Sequence, residues 1–170
     1  MAITLYRIQT DAHRDSILEG TGAKLWGGLW NAQGRSMVYT VTTPELCLLE
    51  YMVHLDGTPL ADLPPLILCE IAVSDHSIRF VRLEELPLGW DNPYATPVGL
   101  PLFAEQQFER HKCFCLALPS AIFPLSPSRN VLIDPLHAQR SECRVLSIQS
   151  YPIDPRLPTA ALAYRAVHVG

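Results

Sequence analysis

Proline is the residue that most restricts how this chain can fold. The 170 residues include 15 prolines, spread from one end of the sequence to the other. Proline lacks an amide hydrogen and has a fixed φ, so it ends helices and is excluded from central strands. The sequence is therefore divided into short segments. It contains no internal repeat and no flexible linker, and its length fits one domain.

The segments between the prolines predict more strands than helices. Strands are predicted where apolar or β-branched residues recur, at 3–8, 36–42, 65–73 and 143–157. The stretches 113–121 and 129–139 are each predicted to be a strand that runs into a turn. Helices are predicted over 43–55, capped by Thr42 or Thr43, and over 97–112. The glycine-rich stretch 20–35 is predicted to be a structured loop, and 78–95 is polar and mixed. This pattern predicts an α+β fold with a mixed sheet or two small sheets and a few helices.

Composition excludes several classes of function. The net charge is −4, and there is no basic stripe of the kind that binds nucleic acid directly. No run approaches the roughly 18 apolar residues of a membrane span, and the N-terminus does not read as a signal peptide. Apolar residues make up 48% of the chain, so part of the apolar surface is expected to contact a partner.

The five cysteines are predicted to be structural. Four lie in apolar surroundings, where a cysteine usually behaves as a small buried side chain. No cysteine or histidine has the spacing of a zinc site, so no metal is expected. The cysteines are therefore interpreted as reduced thiols of a cytoplasmic protein.

Glu50 is the most unusual candidate for a functional residue. It lies in "ELCLLEYMVHL" (45–55), where apolar residues cover nearly every direction around the predicted helix. An ionised carboxylate buried there must be paired, protonated or directed into a cavity. Two interpretations are open. Glu50 pairs with an arginine or points out between helices, or it lines a substrate pocket on a rigid support.

Three other residues also have a structural and a functional interpretation. Tyr39 is either a core residue or an aromatic face for a planar ring, and its strand leads directly into the Glu50 helix. Arg7 is either a solvent-facing arginine or a ligand for pyrophosphate or carboxylate. Ser120 ends a buried strand without a Gly-x-Ser-x-Gly elbow, which argues against a serine hydrolase. The loop "WGGLWN" (26–31) lacks the spacing of a phosphate-binding loop.

Six segments together resemble a known family. They are "LYRI", "GTGAKLWGGLWNAQG", "MVYTVTTPELCLLEYMVHL", "LPSAIFP", "NVLIDPLH" and "IDPRL". In this order they are similar to the RES domain, the toxin half of bacterial RES–Xre toxin–antitoxin pairs. The resemblance spans about 5–157 and implies a single domain over 1–170. It implies the fold of ADP-ribosyltransferase toxins, with mixed or antiparallel sheets and flanking helices.

The resemblance also implies a function and a set of site residues. NAD would be the substrate rather than a cofactor, and the nicotinamide–ribose bond would be cleaved by glycohydrolysis or phosphorolysis. Two alternatives are a protein ADP-ribosyltransferase and an inactive domain that only binds its antitoxin. The partner would be an Xre-type helix-turn-helix antitoxin, and a homodimer is compatible with the sequence. The implied catalytic residues are Glu50 and Tyr39, and the implied NAD-binding residues are Arg7, Leu29, Trp30, Asn31 and Ser120.

One position departs from the family pattern. The family usually has arginine in the middle of Gly-Gly-Arg-Trp-Asn, and Leu29 stands there in this chain. Leucine cannot hydrogen-bond a phosphate, so NAD binding or leaving-group departure is expected to suffer. Three explanations are open: an inactivating substitution, a natural degenerate member, or compensation by Arg35 or Lys24.

Overall fold

A β-sheet forms the centre of the chain. The computed structural model of the protein describes residues 1–55, 58–92 and 99–157. Within these ranges the sheet contains β1 (Ala2–Thr10), β2 (Val38–Val41), β3 (Leu66–Ser74), β4 (Ile78–Phe80), β5 (Cys115–Pro119), β6 (Arg129–Ile133) and β7 (Arg144–Ser150). Their spatial order is β4-β5-β6-β2-β1-β3-β7. β4 and β5 are parallel and the other neighbours are antiparallel, so the predicted α+β class with a mixed sheet is confirmed.

The sheet is weakly joined between its two halves. β1 and β2 share one paired position, Tyr6 with Val41. By contrast, β1 pairs with β3 along its whole length, from Ala2 with Ser74 to Thr10 with Leu66. The molecule therefore has one sheet that nearly divides into two, between the unit β4-β5-β6-β2 and the unit β1-β3-β7.

In the described part of the chain, three α-helices flank the sheet: α1 (Thr21–Trp26), α2 (Pro44–Val53) and α3 (Leu100–His111). The prediction for α2 is confirmed at its start, where the Thr43 side chain accepts a hydrogen bond from the Leu46 amide at 3.3 Å. Pro44 occupies the first turn, where its missing N–H costs nothing. The helix ends two residues before the predicted Leu55.

The remaining differences from the prediction lie in short or glycine-rich segments. α1 falls inside the stretch predicted as loop, and it ends at Gly27, whose φ is +74°. β4 has three residues, too few to produce a recognisable period. By contrast, the short strand and turn predicted over 129–139 are confirmed, because β6 ends at Ile133 and a turn follows at Pro135. α3 begins at Leu100, and part of the predicted start of that helix lies outside the described residues.

Successive residues of a strand are buried in apolar clusters on opposite faces of the sheet. Leu5, Val38 and Ile133 belong to one apolar cluster, which also includes residues of β3 and β5. On α2, Leu46 and Cys47 pack with Val41 in a second cluster. α3 packs into a third cluster through Leu100, Ala104 and Phe108. Among the described helices, none is long and apolar enough to cross a membrane.

The cysteines provide a direct test of this packing. All five are free and buried: Cys47, Cys69, Cys113, Cys115 and Cys143. Burial raises the pKa of each thiol, so little reactive thiolate exists at pH 8. We expect the native protein to react slowly with a thiol reagent such as DTNB and to reveal five thiols after denaturation in urea. A rapid native reaction abolished by Cys47→Ser would contradict this prediction.

Candidate active site

A cleft of about 400 Å³ opens where the two halves of the sheet separate. β1 and β2 contribute one side, α1 and the loop after it contribute another, and α2 and β6 complete the lining. The lining residues are Tyr6, Arg7, Ile8, Ala23, Gly27, Gly28, Leu29, Trp30, Met37, Tyr39, Thr40, Val41, Cys47, Glu50, Tyr51, His54 and Asn130. Because the sheet is joined there by one residue pair, both strands can present side chains to the same space.

Glu50 lies on the cleft wall and is hydrogen-bonded rather than ion-paired. Its Oε1 accepts from the Ser120 hydroxyl at 2.8 Å and from the Asn130 side-chain amide at 2.7 Å. No lysine, arginine or histidine nitrogen of the described ranges lies within 4.0 Å of its carboxylate. The interpretation of Glu50 as half of an arginine pair is therefore wrong for the described chain, and the carboxylate lines a pocket.

Arg7 supplies a positive charge to the same cleft. Its Nε donates to Gln9 Oε1 at 2.8 Å, and its Nη1 donates to the Tyr39 carbonyl at 2.9 Å. Burial lowers the pKa of the guanidinium, although arginine stays protonated at neutral pH. In the described ranges no carboxylate pairs with Arg7. This arrangement leaves its charge available to an anionic ligand.

Tyr39 is locked in place by the loop after α1. Its hydroxyl donates to Asn31 Oδ1 at 2.7 Å and accepts from the Trp30 amide at 3.1 Å. Burial raises the pKa of this hydroxyl to about 12. Because both its donor and its acceptor capacity are used, the hydroxyl is held as part of the framework. The aromatic ring is the part of Tyr39 that remains for a ligand in the cleft.

Trp30 and Asn31 hold the loop itself. The Trp30 ring is buried and packs near Trp90 and Phe103, with ring centroids 6.4 and 6.5 Å away. The Asn31 amide group donates to the carbonyls of Ala23, Ala32 and Arg35. Trp30 therefore anchors the cleft wall, whereas Asn31 lies behind it and acts on the cleft through Tyr39.

Leu29 gives this wall an apolar character. It lines the cleft and packs against the cluster that contains Trp30 and Met37. The suggested compensation by Arg35 is not supported, because Arg35 Nη2 pairs with Asp134 Oδ2 at 2.9 Å, outside the lining of the cleft. Lys24 is exposed in the last turn of α1 and is also outside that lining.

The structure brings together most of the predicted site residues, but not all of them. Arg7, Leu29, Trp30, Tyr39 and Glu50 line the cleft. Ser120 is fully buried behind Glu50, where its oxygen also accepts from the Ile122 amide at 3.2 Å. The sequence pattern did not mark Asn130 and Tyr51 as candidates, although both line the cleft. His54 follows Glu50 by one helical turn, the one available signal for its place in the cleft.

Metal ligands do not assemble around the cleft. Among the residues that the structure describes, no group of three or more histidine, cysteine, aspartate or glutamate side chains could hold a metal ion. The cleft lining offers a carboxylate, a guanidinium, an imidazole and aromatic surface.

We expect that only glycine at position 28 leaves room for the two hydrogen bonds of the Tyr39 hydroxyl. A Cβ at Gly28 would lie 2.5 Å from the Tyr39 hydroxyl and 2.8 Å from Asn31 Oδ1. Gly28→Ala should therefore lower the free energy of unfolding by about 1–3 kcal/mol through overpacking, measured by urea denaturation. Gly22→Ala is the matched control, because a Cβ there meets nothing within 4 Å. An equal stability for both variants would contradict the close packing of this loop.

The Tyr39 hydroxyl also predicts a dependence of stability on pH. Its folded-state pKa of about 12 lies above the ordinary value of 10.0, so the unfolded state releases this proton first. The free energy of unfolding should therefore fall as pH rises from 10 to 12. Tyr39→Phe lacks this proton and should lose less stability over the same range, as measured by urea denaturation at each pH. If the stability of the two proteins fell in parallel with pH, the Tyr39 hydroxyl would not have the raised pKa expected of a buried group.

Comparison with known proteins places the chain in a family. The family model described as the RES domain matches residues 4–154. A "Prs ADP-ribosylating toxin" of Sphingobium sp. (strain YBL2) is 33% identical over 164 residues, covering 92% of this chain and 98% of that protein. A "Toxin Res" of Photorhabdus laumondii is also 33% identical, over 132 residues, covering 78% and 81% of the two chains.

A solved structure shares the fold. The crystal structure of the M. tuberculosis MbcT–MbcA toxin–antitoxin complex aligns with a TM-score of 0.69 at 17% identity. The alignment covers 97% of this chain and 88% of the other. At this level of identity the likeness concerns the fold alone. The family match and the curated relatives carry the identification, and the chain belongs to the RES domain family.

Proposed function

We propose that this protein is a toxin that consumes NAD by breaking the bond between nicotinamide and ribose. The observation that carries the proposal is that one cleft contains both an anionic and a cationic side chain, and neither forms an ion pair with any described residue. Glu50 and Arg7 both line this cleft beside the ring of Tyr39. NAD offers complementary groups: ribose hydroxyls, an anionic pyrophosphate and a planar nicotinamide.

The proposed chemistry follows from the charge that develops during cleavage. Breaking a glycosidic bond passes through a state with oxocarbenium character and positive charge on the ribose. A preorganised carboxylate stabilises that charge, and we assign this role to Glu50. Arg7 would bind the pyrophosphate and Tyr39 would stack against the nicotinamide or its ribose. Ser120 would act through Glu50, to which it donates a hydrogen bond.

Three acceptors are compatible with this site. Water would give free ADP-ribose, and inorganic phosphate would give a phosphorylated ADP-ribose. A protein acceptor is the second candidate function, favoured by the relative named a "Prs ADP-ribosylating toxin", which is 33% identical to this chain. The three are distinguished by their products, since only the transferase leaves labelled ADP-ribose on a protein.

An antitoxin of the Xre type is the proposed partner. The fold is shared with a toxin that was crystallised with its antitoxin. Apolar side chains are exposed on two helices that border the cleft: Leu25 and Trp26 on α1, and Leu49 and Val53 on α2. A partner that covered these side chains would remove apolar surface from water and lie next to the cleft.

Nicotinamide release tests the proposed activity. Purified protein and a Leu29→Arg variant are incubated with NAD, and nicotinamide is quantified. Glu50→Gln should lower the rate by about 10²- to 10³-fold, the usual loss when a group that stabilises transition-state charge is removed. Glu45→Gln is the matched control, because Glu45 is exposed in the first turn of the same helix and does not line the cleft.

Two results would count against the proposal. Full activity in Glu50→Gln would remove Glu50 from the mechanism. If folded wild-type protein and folded Leu29→Arg both release no nicotinamide, with or without added phosphate and candidate protein acceptors, NAD cleavage is wrong for this chain. The alternative of a domain that only binds an antitoxin would then stand. Activity in Leu29→Arg alone would identify Leu29 as the cause of the inactivity.

A further inference from the structure

The Glu50 carboxylate is held through one oxygen. Ser120 Oγ and Asn130 Nδ2 both donate to Oε1, at 2.8 and 2.7 Å. In the described part of the chain, no group donates a hydrogen bond to Oε2. A carboxylate oxygen has two lone pairs, and two donors therefore use the capacity of Oε1. Oε2 is the oxygen that remains for a ligand.

The two donors differ in their access to the cleft. Ser120 is fully buried, and its oxygen accepts from the Ile122 amide while its hydrogen points to Glu50. Asn130 is half-buried and belongs to the lining of the cleft. An ionised carboxylate only accepts hydrogen bonds, so the chemistry of the contact directs the NH₂ group of Asn130 toward Glu50.

The backbone of Asn130 is fixed on both sides. In the sheet it lies opposite Val41 of β2 and opposite Leu118 of β5. β2 leads through two threonines into α2, which carries Glu50, and β5 leads directly to Ser120. The strand pairing thus brings the two donors and the acceptor to one point. A side chain mounted on such a central strand is held more precisely than one on a loop.

We infer that Asn130 is a positioning residue for Glu50. Together with Ser120 it occupies Oε1 and turns Oε2 toward the substrate. This inference rests on the proposed function, because Glu50 must act on the substrate for its orientation to affect the reaction.

Substitution of Asn130 tests this role through kinetics. Asn130→Asp keeps the size of the side chain but replaces the donor with a carboxylate, and Asn130→Ala removes the donor without adding charge. In whichever of wild-type protein and Leu29→Arg is active, we expect kcat for NAD to fall about tenfold to hundredfold, the scale of loss from a small misplacement. KM should change much less, since the interaction lost belongs mainly to the transition state.

A double-mutant cycle separates positioning from a general structural role. If Asn130 acts through Glu50, adding Asn130→Ala to Glu50→Gln should cause little further loss of kcat. Thr42→Val is the control, because Thr42 Oγ1 accepts from the Arg129 amide at 2.8 Å, next to Asn130, without contacting Glu50. We expect it to lower the melting temperature but to leave kcat unchanged.

Crystal structures without NAD provide a readout that does not depend on activity. In Asn130→Ala we expect the Glu50 carboxylate to rotate away from the position it holds in the parent protein. Non-additive losses and a displaced carboxylate support the inference. Additive losses, or a carboxylate that keeps its position in Asn130→Ala, overturn it. If no chain releases nicotinamide, the proposed function fails, and the position of Glu50 in the two crystal structures still decides whether Asn130 holds the carboxylate in place.

Discussion

The register of β6 is the constraint on which the candidate active site depends. β6 pairs with β2 on one side and with β5 on the other, and Asn130 lies opposite a residue of each. Val131 and Ile133 face one apolar cluster while Leu132 faces another. A shift of one residue would exchange these faces and force each apolar side chain into the cluster packed for the other. Burial of the core therefore also fixes the contacts around Glu50.

The cleft depends on a second feature, the single paired position between β1 and β2. A continuous ladder there would have filled the space with paired backbone. Instead, among the described residues, the two strands pair at Tyr6 and Val41 alone, and Arg7 and Tyr39 both line the cleft beside that point. The Tyr39 carbonyl, freed from a full ladder, accepts a hydrogen bond from Arg7. The gap in the sheet is thus used to hold a charged side chain.

Several features of the fold could be predicted from the sequence because they depend on local chemistry. The α2 start followed from a capping threonine and Pro44, and the buried strands followed from runs of apolar and β-branched residues. Short elements escaped prediction. α1 is surrounded by glycines, and β4 has three residues whose pairing with β5 is a long-range contact. Neither gives a periodic signal of its own.

The sequence by itself determined the class of fold, the family resemblance and the unusual position of Glu50 among apolar residues. Only the tertiary structure decided what Glu50 contacts. Its two donors come from positions 70 and 80 residues further along the chain, and no local pattern specifies partners at that distance. Hydrogen-bond geometry depends on strand register, and register is set by burial over the whole sheet. For the same reason, only the structure shows that Ser120 is buried behind the carboxylate whereas Asn130 lines the cleft.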